Sequence, residues 1–408
     1  KIVDGAVAVA DLGPNSVDSS ELVDGSIDTS HIADDQVTGA KIENNPTIAG
    51  NLTVSGDLVP SSQFSNRNVI INGGMQVAQR YTSRSTWNGA GGLYNTVDRF
   101  ASNMSGLGGH TTAQVEIDDL EGFNYSHKLT SEGSQSTGAA DYWYVRYRVE
   151  ANDMQRFRSG AGAAGTVAMT LSYYVKTSWA DTFATSIRSM DGTSRILSSD
   201  YTTAANTWQR VSHTFPADAT AQYDTNTDSG LEIRWWLTAG SNYTGAQATS
   251  VANYSGDTQE TGSDPAWTVT GGRTWEITGV QLELGSTATP FEHRSYAEEL
   301  KRCERYCQVY KNFQSAGFWN GTASFRSWFL LRTQMRSTPS LTEKDYSSGT
   351  RGSILWSGTY SLSDSAASIV GYDFGSLYFN RAGYSGGSDM KGGIHQHQTW
   401  ENILNAEL

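Results

Sequence analysis

Two aliphatic residues recur every ten positions near the start of this 408-residue chain, and no other sequence feature limits its fold as tightly. The segment reads GAVAVADLGP, NSVDSSELVD, GSIDTSHIAD, DQVTGAKIEN from Gly5 onward. The third position of each unit is Val7, Val17, Ile27 and Val37; the eighth is Leu12, Leu22, Ile32 and Ile42. A spacing of five fits neither the 3.6 period of a helix nor the alternation of a strand. A fixed short period marks a one-dimensional stack. One thin chain cannot enclose two small aliphatics per ten residues. Several chains wound round an axis can, and three leave an axis narrow enough for these eight side chains to fill. The competing reading is an acidic linker, against which stands the register of the aliphatics. Residues 1–66 hold no Trp, Tyr or Arg, and ten carboxylates against Lys1 and Lys41. They are too poor in large side chains to build a globular core alone. TIAGNLTVSGDLV, with Ile48, Leu52, Val54 and Leu58 between glycine turns, extends the stalk to Pro60, and residues 61–66 read as a hinge. With no leading Met, Lys1 reads as the start of a trimmed chain.

From Arg67 onward the chain holds all 12 Trp and 20 Tyr. Strand candidates are Trp143–Val149, Thr166–Val175, Trp208–Phe215, Leu231–Leu237, Trp267–Thr270 and Thr274–Leu284, separated by Gly/Ser/Asn/Asp loops. In the last, alternation places Trp275, Ile277, Gly279, Gln281 and Glu283 on one face and Val280 and Leu282 on the other. Many strands with almost no helical periodicity predict an all-β fold, with a β-sandwich or jelly roll over 67–290. A parallel α/β fold is excluded for want of alternating helices. A net charge of −13 argues against nucleic acid or an anionic membrane as main partner. Two cysteines exclude a disulfide scaffold, and no apolar run is long enough for membrane insertion.

SYAEELKRCERYCQVYK opens with Ser295 and Glu298 in capping-box spacing. Tyr296, Leu300, Cys303, Cys307 and Tyr310 follow a 4-3-4-3 spacing, a coiled-coil seam over about two heptads. This predicts a helical neck over 291–312, either pinning a three-fold axis or packing its stripe on its own sandwich. Both cysteines read as reduced packing residues. Residues 313–408 read as a small β-domain, a tip, with strands in Phe325–Arg332, Ser353–Leu362, Ser368–Phe374, Ser376–Tyr384 and Thr399–Leu408.

Letters that resemble catalytic motifs fail on context. GAGAAG (Gly160–Gly165) precedes a strand pattern, so no helix N-terminus faces a pyrophosphate. Asp118, Asp119 and Glu121 share one loop, and sequence cannot set them at the separation a glycosidase needs. His395 and His397 fall on one face of a strand, and three copies would set six imidazoles round an axis for an octahedral metal ion. Two exposed histidines is the plainer reading, and no metal, cofactor or catalytic residue is assigned.

The ten-residue units resemble the thin shafts of bacteriophage tail fibres. NVIINGGMQVAQR (Asn68–Arg80), TVDRF (Thr96–Phe100), NTWQRVSHTFPADAT (Asn206–Thr220), LTAGSNYTG (Leu237–Gly245) and the long run Thr274–Tyr310 resemble a domain of phage tail fibre proteins. The resemblance covers roughly residues 1–310. It implies a homotrimer on the virion, joined at its N-terminal end to phage tail or adaptor proteins. It also implies a central domain like jelly-roll carbohydrate-binding modules, and a tip that adsorbs to host cell-surface glycan or an outer-membrane receptor. Sugar rings stack on Trp and Tyr and pair with Asn, Asp and Arg. That chemistry selects Trp319, Asn320, Trp356, Tyr372, Asp373, Asn380, Arg381 and Tyr384 in the tip, though each also suits core or interface. Two other classes compete: a polysaccharide depolymerase, and a purely structural fibre with a separate receptor binder.

Overall fold

In the computed structural model the described residues are 65–86, 94–133, 136–159, 164–244, 247–256, 269–311, 314–319, 324–345, 352–356, 359–363, 368–373, 376–382, 392–396 and 400–408. The eight stalk aliphatics from Val7 to Ile42 lie outside them. So do Asn320, Tyr384, His397 and the start of the expected strand at Trp267.

Strand alternation builds the larger part. The strands are β1 (Ser83–Thr86), β2 (Ala101–Ser105), β3 (His110–Glu116), β4 (Tyr125–Ser131), β5 (Tyr142–Glu150), β6 (Ala164–Thr166) and β7 (Met169–Thr177). They continue as β8 (Asp181–Ser189), β9 (Arg195–Thr203), β10 (Gln209–Phe215), β11 (Asp218–Gln222), β12 (Ser229–Ala239), β13 (Ala252–Asn253) and β14 (Thr274–Leu284). Two six-stranded sheets result, β1-β3-β4-β14-β7-β10 and β13-β9-β8-β12-β5-β2, with β6 and β11 as a separate pair. The fold is all-β, of jelly-roll sandwich type.

The inner faces supply the core. From β5 come Trp143, Val145, Tyr147 and Val149; from β12 Leu231, Ile233, Trp235 and Leu237; from β7 Met169, Leu171, Tyr173 and Val175. Trp235 packs edge-on against Tyr173 at 5.8 Å and tilted on Phe100 at 6.1 Å. Each fully buried Trp removes 150–250 Å² from water, roughly 4–6 kcal/mol of gross stabilisation.

β14 departs from simple alternation. Its pairing with β7 shifts between Thr278 and Gln281, a β-bulge. Gly279 sits at φ 62° in the bulge, and a Cβ there would lie 2.8 Å from Phe123 and Tyr174. The extra residue resets the pleat. Trp275, Ile277, Val280 and Leu282 therefore all reach the core, where unbroken alternation set the last two on the opposite face.

The polar run Asn68–Arg80 turns out to be a buried lock. The Asn68 side chain accepts from the Ile70 and Leu282 amides and donates to the Val280 carbonyl. Asn72 donates to the Val77 and Asp98 carbonyls and accepts from the Val77 amide. Buried amides satisfied this fully fix the loop on β14.

The expected helix is shorter than its seam. α1 spans Tyr296–Glu304, with the Ser295 hydroxyl accepting from the Glu298 amide as its cap. Cys307 and Tyr310 lie in β15 (Cys307–Lys311), not on the helix. Tyr296 is exposed, while Cys303 packs with Ile71, Val77 and Tyr306 of its own chain, flanked by Leu300. The five positions therefore do not form one helical stripe. Backbone pairing of β15 in a sheet replaces the last helical turns.

The remaining strands are β16 (Gln314–Trp319), β17 (Ser324–Leu330), β18 (Ser340–Asp345), β19 (Gly352–Trp356), β20 (Thr359–Ser363), β21 (Ser368–Asp373), β22 (Ser376–Ala382), β23 (Gly392–Gln396) and β24 (Trp400–Asn405). The expected single strand Ser353–Leu362 is a hairpin, with Trp356 opposite Thr359. Seven strands order as β20-β19-β23-β16-β17-β22-β21, and β15-β24-β18 form a three-stranded sheet. β24 thus brings the C-terminal residues back to β15. Glu407 pairs with Arg80 and Arg99, the Tyr94 hydroxyl donates to the Leu408 carbonyl, and Arg336 donates to the Ala406 and Glu407 carbonyls.

Candidate functional site

The same alternation that buries the odd positions of β5 and β12 turns their even positions outward. Registers across β9-β8-β12-β5-β2 set three rows on this outer face. The first runs Asp200, Ala184, Trp236, Tyr144, Asn103; the second Ser198, Ser186, Arg234, Arg146, Ala101; the third contains Arg188, Glu232 and Arg148. Arg146 and Arg234 are directly opposed. Like charges opposite one another destabilise a sheet pair, and breaches of a local rule concentrate at functional sites.

Aromatic rings back the cations. The Arg234 guanidinium lies 4.7 Å from the Tyr144 ring centroid and 5.6 Å from that of Trp236. Arg188 lies 3.5 Å from the Tyr254 ring centroid, and its Nε donates to the Ser194 hydroxyl at 2.7 Å. Trp236 is fully buried beneath this layer and donates from Nε1 to Ser186. Tyr142 stacks on Tyr144 at 5.2 Å and meets Tyr243 edge-on at 5.4 Å; Tyr142 and Tyr243 both stay partly exposed. Guanidinium planes fixed on rings lose little freedom when they bind an oxyanion.

Glu232 is the shared counter-ion, 2.7 Å from Arg148 and 2.6 Å from Arg234. Burial would raise its pKa, but the three arginines Arg234, Arg148 and Arg146 outweigh burial and hold it below the usual carboxylate range. Burial lowers the pKa of Arg188, and Arg234 and Arg148 push the same way against Tyr254 and Glu232. The Arg146 Nε is buried without a hydrogen-bond acceptor among the described residues.

The sequence reading placed its sugar-contact residues elsewhere, in the tip. There Trp319 stands opposite Phe325, which stands opposite Arg381, so the first and last share a row across β16-β17-β22. Asn380 is the next position on β22. Tyr372 and Asp373 pair with Leu377 and Ser376, at the other end of β22. Three to five residues of strand, about 10–17 Å, separate the two groups along β22. Trp356 ends β19 at its hairpin, and His395 lies on β23 opposite Ser315 and Ile354. The arginine rows went unassigned in the sequence, although WYVRYRV and LEIRWWL both carry Arg at outward positions between apolar ones.

Asp119 bonds Lys176 and the Trp208 indole, at 2.8 Å each, and these two bonds lower its pKa. Gly165, the last residue of GAGAAG, sits in β6 with φ 93° and leads into β7, not a helix. Among the described residues no group of three or more His, Cys, Asp or Glu could hold a metal ion.

No family model and no curated protein matches the chain. Among solved structures, the enzymatically active domain of bacteriophage CBA120 tailspike protein 4 is similar over 53% of this chain and 21% of its own, at 13% identity and TM-score 0.27. This chain therefore spans about a fifth of the length of that tailspike chain. The module TmCBM61, in complex with β-1,4-galactotriose, is matched whole by 54% of this chain, at 10% identity and TM-score 0.26. A family 11 carbohydrate-binding module of a Clostridium thermocellum cellulosomal cellulase is matched whole by 52%, at 11% identity and TM-score 0.26. Likenesses this distant carry no argument about the site.

Proposed function

We propose that this chain is the subunit of a bacteriophage tail fibre that attaches the virion to a host-surface glycan by binding, without catalysis. In this reading residues 1–66 form a trimeric stalk, 67–290 the sandwich, 291–312 the neck and 313–408 the tip. Tail or adaptor proteins join at the N-terminal end. The observation that carries the glycan reading is the outer face of the second sheet, where arginines and tyrosines are stacked into fixed positions. Fixed guanidinium forks pair with hydroxyl and acid groups, and ring faces accept the C–H faces of sugars. The trimer draws support from β17, where Trp328 is 42% and Leu330 79% exposed on the same strand face. A second and third copy would cover such a face. Weak single sites would gain strength from three copies per fibre.

The test is adsorption. Soluble full-length protein added to host cells is expected to block attachment of the phage that carries it, and its mass by light scattering is expected to equal three chains. Unimpeded adsorption, with enzymatic removal of host polysaccharide also leaving attachment unchanged, overturns the reading.

A further inference from the structure

The glycan that fits the outer face of the second sheet is set by charge. Arg146, Arg148, Arg188 and Arg234 crowd one half of this face, against the carboxylates of Glu232 and Asp200. Glu232 is fully engaged by Arg148 and Arg234, and Gln247 donates to Asp200. Arg305 engages the neighbouring Glu150 through both its oxygens. A cationic cluster therefore stands on a chain whose net charge is −13. A neutral sugar would leave these four guanidinium groups to share the carboxylates of Glu232 and Asp200, with Arg146 held at the Tyr94 side chain, whereas an oxyanion reaching Arg146 and Arg234 adds negative charge and further acceptors to the face.

We propose that the outer face of β5, β12 and β8 binds an anionic saccharide unit, with its oxyanion between Arg146 and Arg234 and its ring against Tyr142 and Tyr243. The proposal rests on the glycan-binding reading above and names its ligand class. Carboxylate, sulfate and phosphate share the chemistry that the guanidinium pair recognises, a flat or tetrahedral oxyanion accepting two N–H bonds. Binding is then sensitive to ionic strength, because exposed ion pairs are screened within about 8 Å at physiological salt. A site for neutral sugar would show little such dependence.

The experiment uses the full chain and three polymers: polygalacturonate for carboxylate, heparin for sulfate, and dextran as the neutral control. Titration calorimetry or biolayer binding is expected to detect at least one acidic polymer and no dextran. Raising sodium chloride from 0.05 to 0.5 M is expected to weaken binding by about tenfold or more. Arg146→Gln and, separately, Arg234→Gln are expected to lower affinity by about tenfold, while Arg146→Lys retains part of it. Arg210→Gln, on the opposite sheet, leaves affinity unchanged. Thermal melts confirm that each variant is folded. Preference for carboxylate over sulfate, or the reverse, names the oxyanion. Dextran binding equal to that of the acidic polymers, no binding to either acidic polymer, or Arg146→Gln affinity equal to the parent overturns the proposal. The adsorption block can survive each of those outcomes, so the two readings fail separately.

Discussion

Glu276 on β14 faces Lys128 on one neighbouring strand and Lys176 on the other, whereas Arg234 on β12 faces Arg146. The two residues occupy equivalent outward positions on the two sheets of one sandwich. On the first sheet the charges are complementary, and Lys128 and Glu276 close to 3.4 Å. That face is also sealed by the chain itself: Phe123, Phe291 and His293 meet over Tyr174, with ring centroids 4.9–5.4 Å apart. On the second sheet the arginines are backed by rings but opposed to each other. A face that satisfies itself is built for stability. A face that concentrates one charge is the one where we propose that a ligand completes the pairing.

The second face is most vulnerable where it meets the C-terminus. Glu407 lies buried between Arg80 and Arg99, with side chains 1–5% exposed. Glu407→Ala takes the carboxylate partner from buried Arg99 and leaves Arg80 with Asp98 alone, and is expected to cost about 3–5 kcal/mol in urea unfolding. A loss under 1 kcal/mol would mean that this edge is held by backbone pairing alone. On the sealed face, Gly279→Val forces a β-branched residue to positive φ and into Phe123 and Tyr174. A cost of roughly 3 kcal/mol is expected in the same measurement, and a neutral result would remove the bulge from the account.

Acid probes the core shared by both sheets. Burial pushes His110 down to about 4, His127 to about 3, where His110 adds to the effect, and His213 to about 4. A histidine whose folded pKa lies below its unfolded value of about 6.5 takes up fewer protons when folded. Its contribution to stability is complete above pH 6.5 and falls as pH drops toward the folded value. Each histidine is expected to remove up to about 1.4 kcal/mol per pH unit between those limits. Melts from pH 7.5 to 4.5 check this, and a flat profile would show that the rings are hydrated. The smallest effects separate the two faces most sharply. Glu276→Gln, which breaks a complementary pair, is expected to cost ~1 kcal/mol. Arg146→Gln, which removes a like-charge pair, is expected to change stability by less than that or to raise it. Equal losses for the two would erase the distinction.

The strands of this fold were legible because their inward residues are large and their outward residues polar. WYVRYRV and TWEITGVQLEL gave nearly the observed bounds of β5 and β14. What sequence withheld was register. Arg146 and Arg234 are far apart in the chain, and only the pairing of β5 with β12 makes them neighbours. The bulge at Gly279 was hidden for a related reason, because period-two counting has no place for an extra residue. The helix stops at Glu304, although a 4-3-4-3 spacing of Cys and Tyr fits a longer seam, because Val309 and Tyr310 pair with Ile403 and Asn402, nearly a hundred residues away.

The three-stranded sheet β15-β24-β18 has a mechanical meaning. The far β-domain leaves the sandwich through β15 and returns through β24, and both strands lie side by side in register. Beyond β24, Glu407 is clamped by two arginines. A domain held by one strand can swivel, but one held by two adjacent strands, each anchored separately, resists torsion. Tension applied to that domain is shared between two anchors loaded in parallel. The last three residues thus act as the second bolt of a two-bolt joint.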